Sequence, residues 1–288
     1  MMEESKGIFN PSLEITEHDF NSMRDIMYER TGVYLKATKK PLVISRLRKR
    51  LVSLGLNRFC DYLDILRRPA SPELENFVNA ITTNETFLFR HTRQFNILFE
   101  ELLPEIVKRR RAEGKDTITL WSAASSSGEE PYSLAITCHE YFKKNPATAM
   151  KFKVYGSDIN SIVLIEAKEG LYSDRSFRGV PPTIVERYFT PVETTERYHK
   201  RFFEVNQEIR KYVEFRQHNL LHVFGQKDID VIFLRNVLIY FDLLSKATVV
   251  RNLEQNLARG GYLFTSLSES LNDVENSLKF FKYGIYKK

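Results

Sequence analysis

Cysteine is scarce in this chain: Cys60 and Cys138 are the only two in 288 residues. They are too few and too far apart in sequence for a disulfide scaffold or a cysteine-ligated zinc site. No apolar run approaches the roughly 20 residues that span a bilayer. The N-terminal Met1-Met-Glu-Glu-Ser-Lys6 lacks the apolar core of a signal peptide. Both absences predict a cytoplasmic protein without membrane insertion. No G-x-G-x-x-G motif follows the first strand, which argues against a dinucleotide-dependent dehydrogenase. Internal repeats and low-complexity tracts are also lacking. What remains is ordinary for a globular chain with a full core, at 42% hydrophobic residues and 12 glycines.

Charge is modest overall, +6 from 43 Lys+Arg against 37 Asp+Glu, so an acidic partner is implied only where the cations cluster. They do cluster between Lys36 and Arg50, where Lys36, Lys39, Lys40, Arg46, Arg48, Lys49 and Arg50 occur with no acid among them. A run of this kind is either a docking face or the solvated side of a structural helix. Only Pro41 and aliphatic residues separate the charges, without the interleaved aromatics expected of an RNA-binding surface.

Periodicity divides the chain. Residues 1–81 read as an all-helical domain: Thr16 opens a helix with Phe20, Met23, Ile26 and Met27 on one face, and Gly32 closes it. Leu42, Ile44, Leu47, Leu51 and Leu54 carry a second helix to Gly55, Phe59 to Leu66 a third, and Leu74 to Ile81 a fourth. Residues 82–116 read as a linker and helix. From Thr117 to Lys288, strands and helices alternate, which predicts a mostly parallel, doubly wound α/β sheet. Its strands are expected at 117–121, 152–158, 213–219, 229–234 and within 260–267, with a terminal strand or pair at 280–286. Residues 170–212 break that rhythm, and a small antiparallel β insertion is expected at about 190–212.

The densest signal is Trp121-Ser-Ala-Ala-Ser-Ser-Ser-Gly-Glu-Glu-Pro-Tyr-Ser133. A strand, a tight loop of small residues and a helix N-terminus form the layout of a nucleotide site. Yet Glu129 and Glu130 stand where a pyrophosphate would sit, and two carboxylates there repel phosphate and attract a cation. A cationic, nucleoside-bearing cofactor satisfies both features, and S-adenosylmethionine is the commonest. The plainer alternative is a turn whose first-turn glutamates favour the helix dipole. Asp158, ending the second strand, is placed to accept ribose hydroxyls or to cap the following helix.

Six segments in fixed order resemble one family: Thr82-Thr-Asn-Glu-Thr-Phe-Leu-Phe-Arg90, Trp121 to Ser133, Ser157-Asp-Ile-Asn160, His218-Asn-Leu-Leu221, Leu234-Arg-Asn-Val-Leu-Ile-Tyr-Phe-Asp242 and Ser266-Leu-Ser-Glu-Ser270. Together they are similar to the CheR-type chemoreceptor glutamate methyltransferases, over nearly the whole chain. The resemblance implies a Rossmann-like class I methyltransferase domain behind the helical domain. It also implies S-adenosyl-L-methionine as cofactor, S-adenosyl-L-homocysteine as product and no metal. The implied partner is the cytoplasmic domain of methyl-accepting chemoreceptors, with no nucleic acid and a monomer as the default.

Position by position, the resemblance implies a cofactor pocket of Asn84, Thr86, Arg90, Glu130, Asp158, Asn219, Leu220, Arg235 and Asn236. It places Tyr240 opposite the transferred methyl, so that Arg90 and Tyr240 are the expected catalytic residues. Read without it, Asn84 and Thr86 are helix caps and Tyr240 is a core aromatic with a satisfied hydroxyl. It also turns the basic segment into a receptor-docking face, with Arg46, Lys49 and Arg50 as contacts. The β insertion corresponds to a subdomain with which some members grip a receptor tail peptide. Two departures stand out: Ser125 lies where the family often has Cys or Ala, and its Gly-His-Ser-Glu signature is here Ser266-Leu-Ser-Glu269, without the histidine.

Overall fold

The structure, a computed structural model, describes residues 14–192 and 201–288. The expectations for Met1 to Lys6, and for the part of the insertion at 193–200, lie outside the described residues. The chain forms two compact units that divide between Thr83 and Asn84.

The first unit is helical: α1 Glu17–Thr31, α2 Lys40–Ser53, α3 Phe59–Leu66 and α4 Glu73–Ile81. Thr16 caps α1, its Oγ1 accepting the Asp19 N–H at 3.0 Å, a bond of about 1 kcal/mol. Gly32 ends the helix in the left-handed region at φ 73°, where a side chain would be strained. α1 packs on α3 and α2 on α4, burying Phe20, Met23, Val43, Leu47, Leu51, Leu63 and Phe77. Each of those side chains contributes roughly 1.5–3 kcal/mol on burial.

The second unit opens with α5 Thr92–Ile97, which runs through a π-helical turn, Leu98–Leu102, into α6 Leu103–Ala112. The alternating part follows as β1 Thr117–Ala123, α7 Glu129–Lys144, β2 Lys151–Asp158, α8 Ser161–Glu169, β3 Leu171–Ser173, α9 Pro182–Tyr188, β4 Phe189–Val192 and β5 Phe202–Val205. It continues with α10 Gln207–Arg210, β6 Val213–Gln217, β7 Ile229–Phe233, α11 Leu243–Asn256, β8 Leu257–Phe264, β9 Lys279–Lys282 and β10 Ile285–Lys287. The seven-stranded sheet has the order β6-β2-β1-β7-β8-β10-β9. β6, β2, β1, β7 and β8 are parallel neighbours, and β10 runs antiparallel between β8 and β9. Every residue of β7 is buried, the pattern of a central strand covered on both faces.

One apolar layer holds Leu98, Ile106, Leu134, Phe233 and Phe264, the other Trp121, Ile232, Val250 and Leu253. The terminal segment is a strand pair, and the strand expected within 260–267 starts earlier, at Leu257. The antiparallel insertion is wider than expected: β5 pairs with β4 and also with β3, which begins at Leu171. A three-residue strand is too short for its alternation to be read.

Candidate active site

The parallel strands direct the loops after β1, β2, β6 and β7 to one edge of the sheet, where doubly wound folds bind ligands. The segment 84–91 lies against the first of these: Ser126 Oγ donates to the Asn84 carbonyl at 2.9 Å, and the Phe89 N–H donates to Ser133 Oγ at 2.9 Å. Phe89, His91, Ala124, Ser126 and Asn236 all have positive φ, five of the eight such non-glycine residues among those described. Each left-handed residue costs on the order of 1 kcal/mol or more, and such strain concentrates at functional sites. Gly128 turns the chain into α7 at φ 94°, where a Cβ would meet Ala167 Cβ and Tyr172 Oη at 2.9 Å.

The two carboxylates after Gly128 part company. Glu129 accepts from Ser127 Oγ at 2.7 Å and Ser176 Oγ at 3.1 Å, and is 4% exposed. The two acids therefore do not share one environment: Glu129 is bonded to Ser127 of the loop and to Ser176 of the turn after β3. Glu130 instead accepts from Ser122 Oγ at 2.7 Å and lies 3.4 Å from the Arg235 guanidinium. Burial pushes the Glu130 carboxyl above its usual range, against the opposing pull of Arg235 and Ser122.

Arg235 follows β7 and is itself buried. Its Nη2 donates to the Arg90 carbonyl, and its guanidinium lies 5.7 and 5.6 Å from the Phe95 and Phe233 rings. Burial pulls its pKa below the ordinary arginine value, only partly offset by Glu130. Its Nε and Nη1, Ser125 Oγ and His218 Nε2 are buried without hydrogen-bond partners among the described residues. Each such atom costs about 1–3 kcal/mol unless a ligand or water satisfies it. Arg235, Ser125 and His218 all lie just beyond strand ends.

Asp158 accepts the Ser126 N–H at 2.8 Å and the Asn160 N–H at 2.9 Å, and burial raises its pKa despite those bonds. It does not cap α8. Asn160 does, accepting from Ile162 N and Val163 N. Asn219 and Leu220 stand in the turn after β6, where Asn219 Oδ1 accepts from Leu221 N at 3.0 Å and the Leu220 carbonyl from Asn252 at 3.0 Å. Arg90, between two left-handed residues, donates to the Glu85 carbonyl at 3.0 Å. Thr86 and Tyr240 are half-buried, and the Tyr240 hydroxyl has no hydrogen bond among the described residues.

One contributor escaped sequence reasoning. Glu269 is 5% exposed and accepts the Asn236, Val237 and Leu238 N–H groups at 2.7, 2.7 and 2.8 Å, together with Ser266 N at 3.0 Å and Ser266 Oγ at 2.7 Å. The segment Ser266-Leu-Ser-Glu269 was visible as a motif, but nothing in it announces three backbone donors from the loop after β7, about 30 residues upstream. Leu267, at the position of the missing histidine, is 65% exposed.

The basic segment belongs to the helical unit, and its three named cations differ. Arg46 donates to the Ile81 carbonyl, the Thr82 carbonyl at 2.8 Å and Thr83 Oγ1 at 3.2 Å, closing the C-terminus of α4. Arg50 grips Glu73 with two bonds, at 2.9 and 2.6 Å. Lys49 is exposed, as are Lys36 and Lys39. Arg46 and Arg50, expected as docking contacts, hold α2 to α4 and the residues after it through these bonds.

A parallel sheet with an antiparallel last strand inserted beside its edge, and an acid after each of the first two strands, defines a class I methyltransferase domain. The comparisons carry this to the family. "CheR methyltransferase, SAM binding domain" matches residues 84–286 and "CheR methyltransferase, all-alpha domain" residues 18–82. The chemotaxis protein methyltransferase of Escherichia coli is 35% identical over 91% of this chain and 88% of its own length. That of Salmonella typhimurium is 36% identical over 91% and 87%, and that of Borreliella burgdorferi 30% identical over the full length of both. The chain belongs to the CheR methyltransferase family and is an S-adenosylmethionine-dependent methyltransferase. Among the described residues no helix is long and apolar enough to cross a membrane.

Proposed function

We propose that this protein methylates glutamate side chains in the cytoplasmic domains of chemoreceptors, forming glutamyl methyl esters. The observation that carries the reading is the under-satisfied pair Glu130 and Arg235: Arg235 Nη1 lies 3.4 Å from Glu130 without making a hydrogen bond, and Arg235 Nε has no hydrogen-bond partner among the described residues. An amino-acid ammonium and carboxylate on one ligand would complement that pair. Ribose hydroxyls would find Asp158, and Asn219 and Leu220 would border an adenine. Asn84, Thr86 and Asn236 would line the remaining wall. The donor set therefore suits S-adenosylmethionine, which when bound supplies an electrophilic methyl on a positively charged sulfur.

A glutamate side chain is already ionised near pH 7, so the protein needs no strong general base. Its task is alignment and exclusion of water. Arg90 would hold the incoming carboxylate by a charge-assisted bond, and Tyr240, with its hydroxyl uncommitted, would orient it. With the donor bound, which would supply the methyl and keep the carbon–sulfur electron pair on sulfur, Arg90 and Tyr240 would hold the accepting carboxylate oxygen in line with that methyl. Docking of an acidic receptor helix would fall to the exposed Lys36, Lys39 and Lys49. The test is incubation with methyl-labelled S-adenosylmethionine and receptor cytoplasmic domains, followed by mild alkali. Label released by base supports the reading; base-stable label, or none, rejects it.

A further inference from the structure

We infer that Glu269 is a positioning residue for methyl transfer: it sets the loop that presents Arg235 and Tyr240, without touching substrate or cofactor. The inference rests on the proposed function for its catalytic readout, and on geometry alone for its structural one.

Three consecutive N–H groups, those of Asn236, Val237 and Leu238, converge on this one carboxylate, two on Oε1 and one on Oε2. Successive backbone donors of this kind form a concave nest that favours an anion. The nest closes over an acid from the loop after β8, so the bonds tie the ends of two neighbouring strands together. Ser266 adds an N–H and a hydroxyl from the Glu269 side, and charge-assisted bonds are the strong class.

The residues so held bracket the chemistry. Arg235 immediately precedes the three donors. The turn Leu238–Tyr240 begins at the last of them, closed by Tyr240 N on the Val237 carbonyl at 3.0 Å. Asn236 adopts φ 61°, a conformation that persists only where its surroundings impose it. Without the carboxylate, three N–H groups of a largely buried loop lose their acceptor. An amide in its place offers one oxygen and turns an NH₂ against donors. Neither Arg235 nor Tyr240 then has a fixed backbone, and displacement by about 1 Å can cost on the order of a hundredfold in rate.

The experiment uses full-length Glu269→Gln and, as a milder variant that keeps the carboxylate, Ser266→Ala. Amide hydrogen exchange is followed in the ligand-free protein, and kcat and KM on a receptor cytoplasmic domain. In Glu269→Gln the Asn236, Val237 and Leu238 amides should exchange at least about tenfold faster than in wild type, with amides in β1 and β7 unchanged. Its kcat should fall at least about tenfold while KM for the receptor stays within about threefold. Ser266→Ala should move both readouts the same way by about two- to threefold. Unchanged exchange at the three amides overturns the clamp. Faster exchange with wild-type kcat overturns its catalytic consequence. Loss of kcat only in proportion to the unfolded fraction reduces Glu269 to a stabilising residue. A wild-type enzyme that methylates no receptor refutes the proposed function instead, and the exchange measurement still judges the clamp.

Discussion

Glu73 in the helical unit, buried, and Glu130 in the α/β unit, half-buried, are both glutamates facing an arginine, and their surroundings differ. Glu73 accepts two bonds from Arg50, one from Tyr62 at 2.9 Å and one from Asn76 at 2.9 Å. Burial acts to raise its pKa, but the bonds outweigh it and hold the carboxyl below its ordinary value. Glu130 has one hydroxyl donor and an arginine at 3.4 Å, and burial wins, leaving it raised. A carboxylate whose lone pairs are filled by its own protein is a fastening. On the proposed function, one left with spare acceptor capacity beside donors that lack hydrogen bonds would be a binding group, whose unmet polar groups a ligand would satisfy.

The comparison breaks first on Glu130→Gln. S-adenosylhomocysteine affinity, by calorimetry, is expected to fall about 100-fold, or about 2.7 kcal/mol, with a small change in the thermal midpoint. Glu73→Gln should do the reverse, costing about 2–3 kcal/mol of stability in chemical denaturation with cofactor affinity unchanged. A melted Glu130 variant, or a Glu73 variant that loses the ligand, would erase the distinction. Tyr240→Phe and Arg90→Ala should each lower turnover roughly tenfold or more while leaving folding intact. Wild-type rates in both would remove them from the catalytic group.

The pH dependence sharpens the contrast because the two signs differ. The folded pKa of Glu73 lies below its ordinary 4.5, so its contribution is present above that value and is lost as pH falls through the folded pKa. The folded pKa of Glu130 lies above its ordinary 4.5, so its contribution is full below that value and is lost as pH rises through the raised pKa. Melting wild type beside each glutamine variant should show wild type gaining on Glu73→Gln with rising pH and losing ground to Glu130→Gln. Trp121, the single tryptophan, reports the α/β unit by fluorescence. Parallel slopes would contradict the assignment. The smallest effect is expected for Lys49→Glu, which should raise receptor KM by about two- to fivefold without changing cofactor affinity. Reversing Arg46 or Arg50 cannot test docking, since either change unfastens α4.

Much of this arrangement was legible in the residues. The spacing of Phe20, Met23 and Met27, the closing Gly32, and the apolar runs at 152–158 and 229–233 each bury one face or both in a way periodicity exposes. The small residues from Ala123 to Gly128 were legible as a tight loop between strand and helix, and β1 and α7 flank it. The insertion was legible only in part, since β3 shows no pattern of its own until β5 pairs with it. The roles of Arg46 and Arg50 were hidden, because a basic run reads alike whether its partners are solvent, a receptor or carbonyls 35 residues away.

By itself, then, the order of residues determined most of the elements, the parallel sheet and the tight loop between β1 and α7, because these follow from local hydrophobic period and loop composition. Which of two adjacent acids takes two hydroxyls and which faces Arg235, which cations bond within the fold, and that Glu269 accepts from the loop of Asn236 were decided only when distant segments met. Hydrogen bonding depends on distances of a fraction of an ångström between groups far apart in the chain, and no local pattern encodes them.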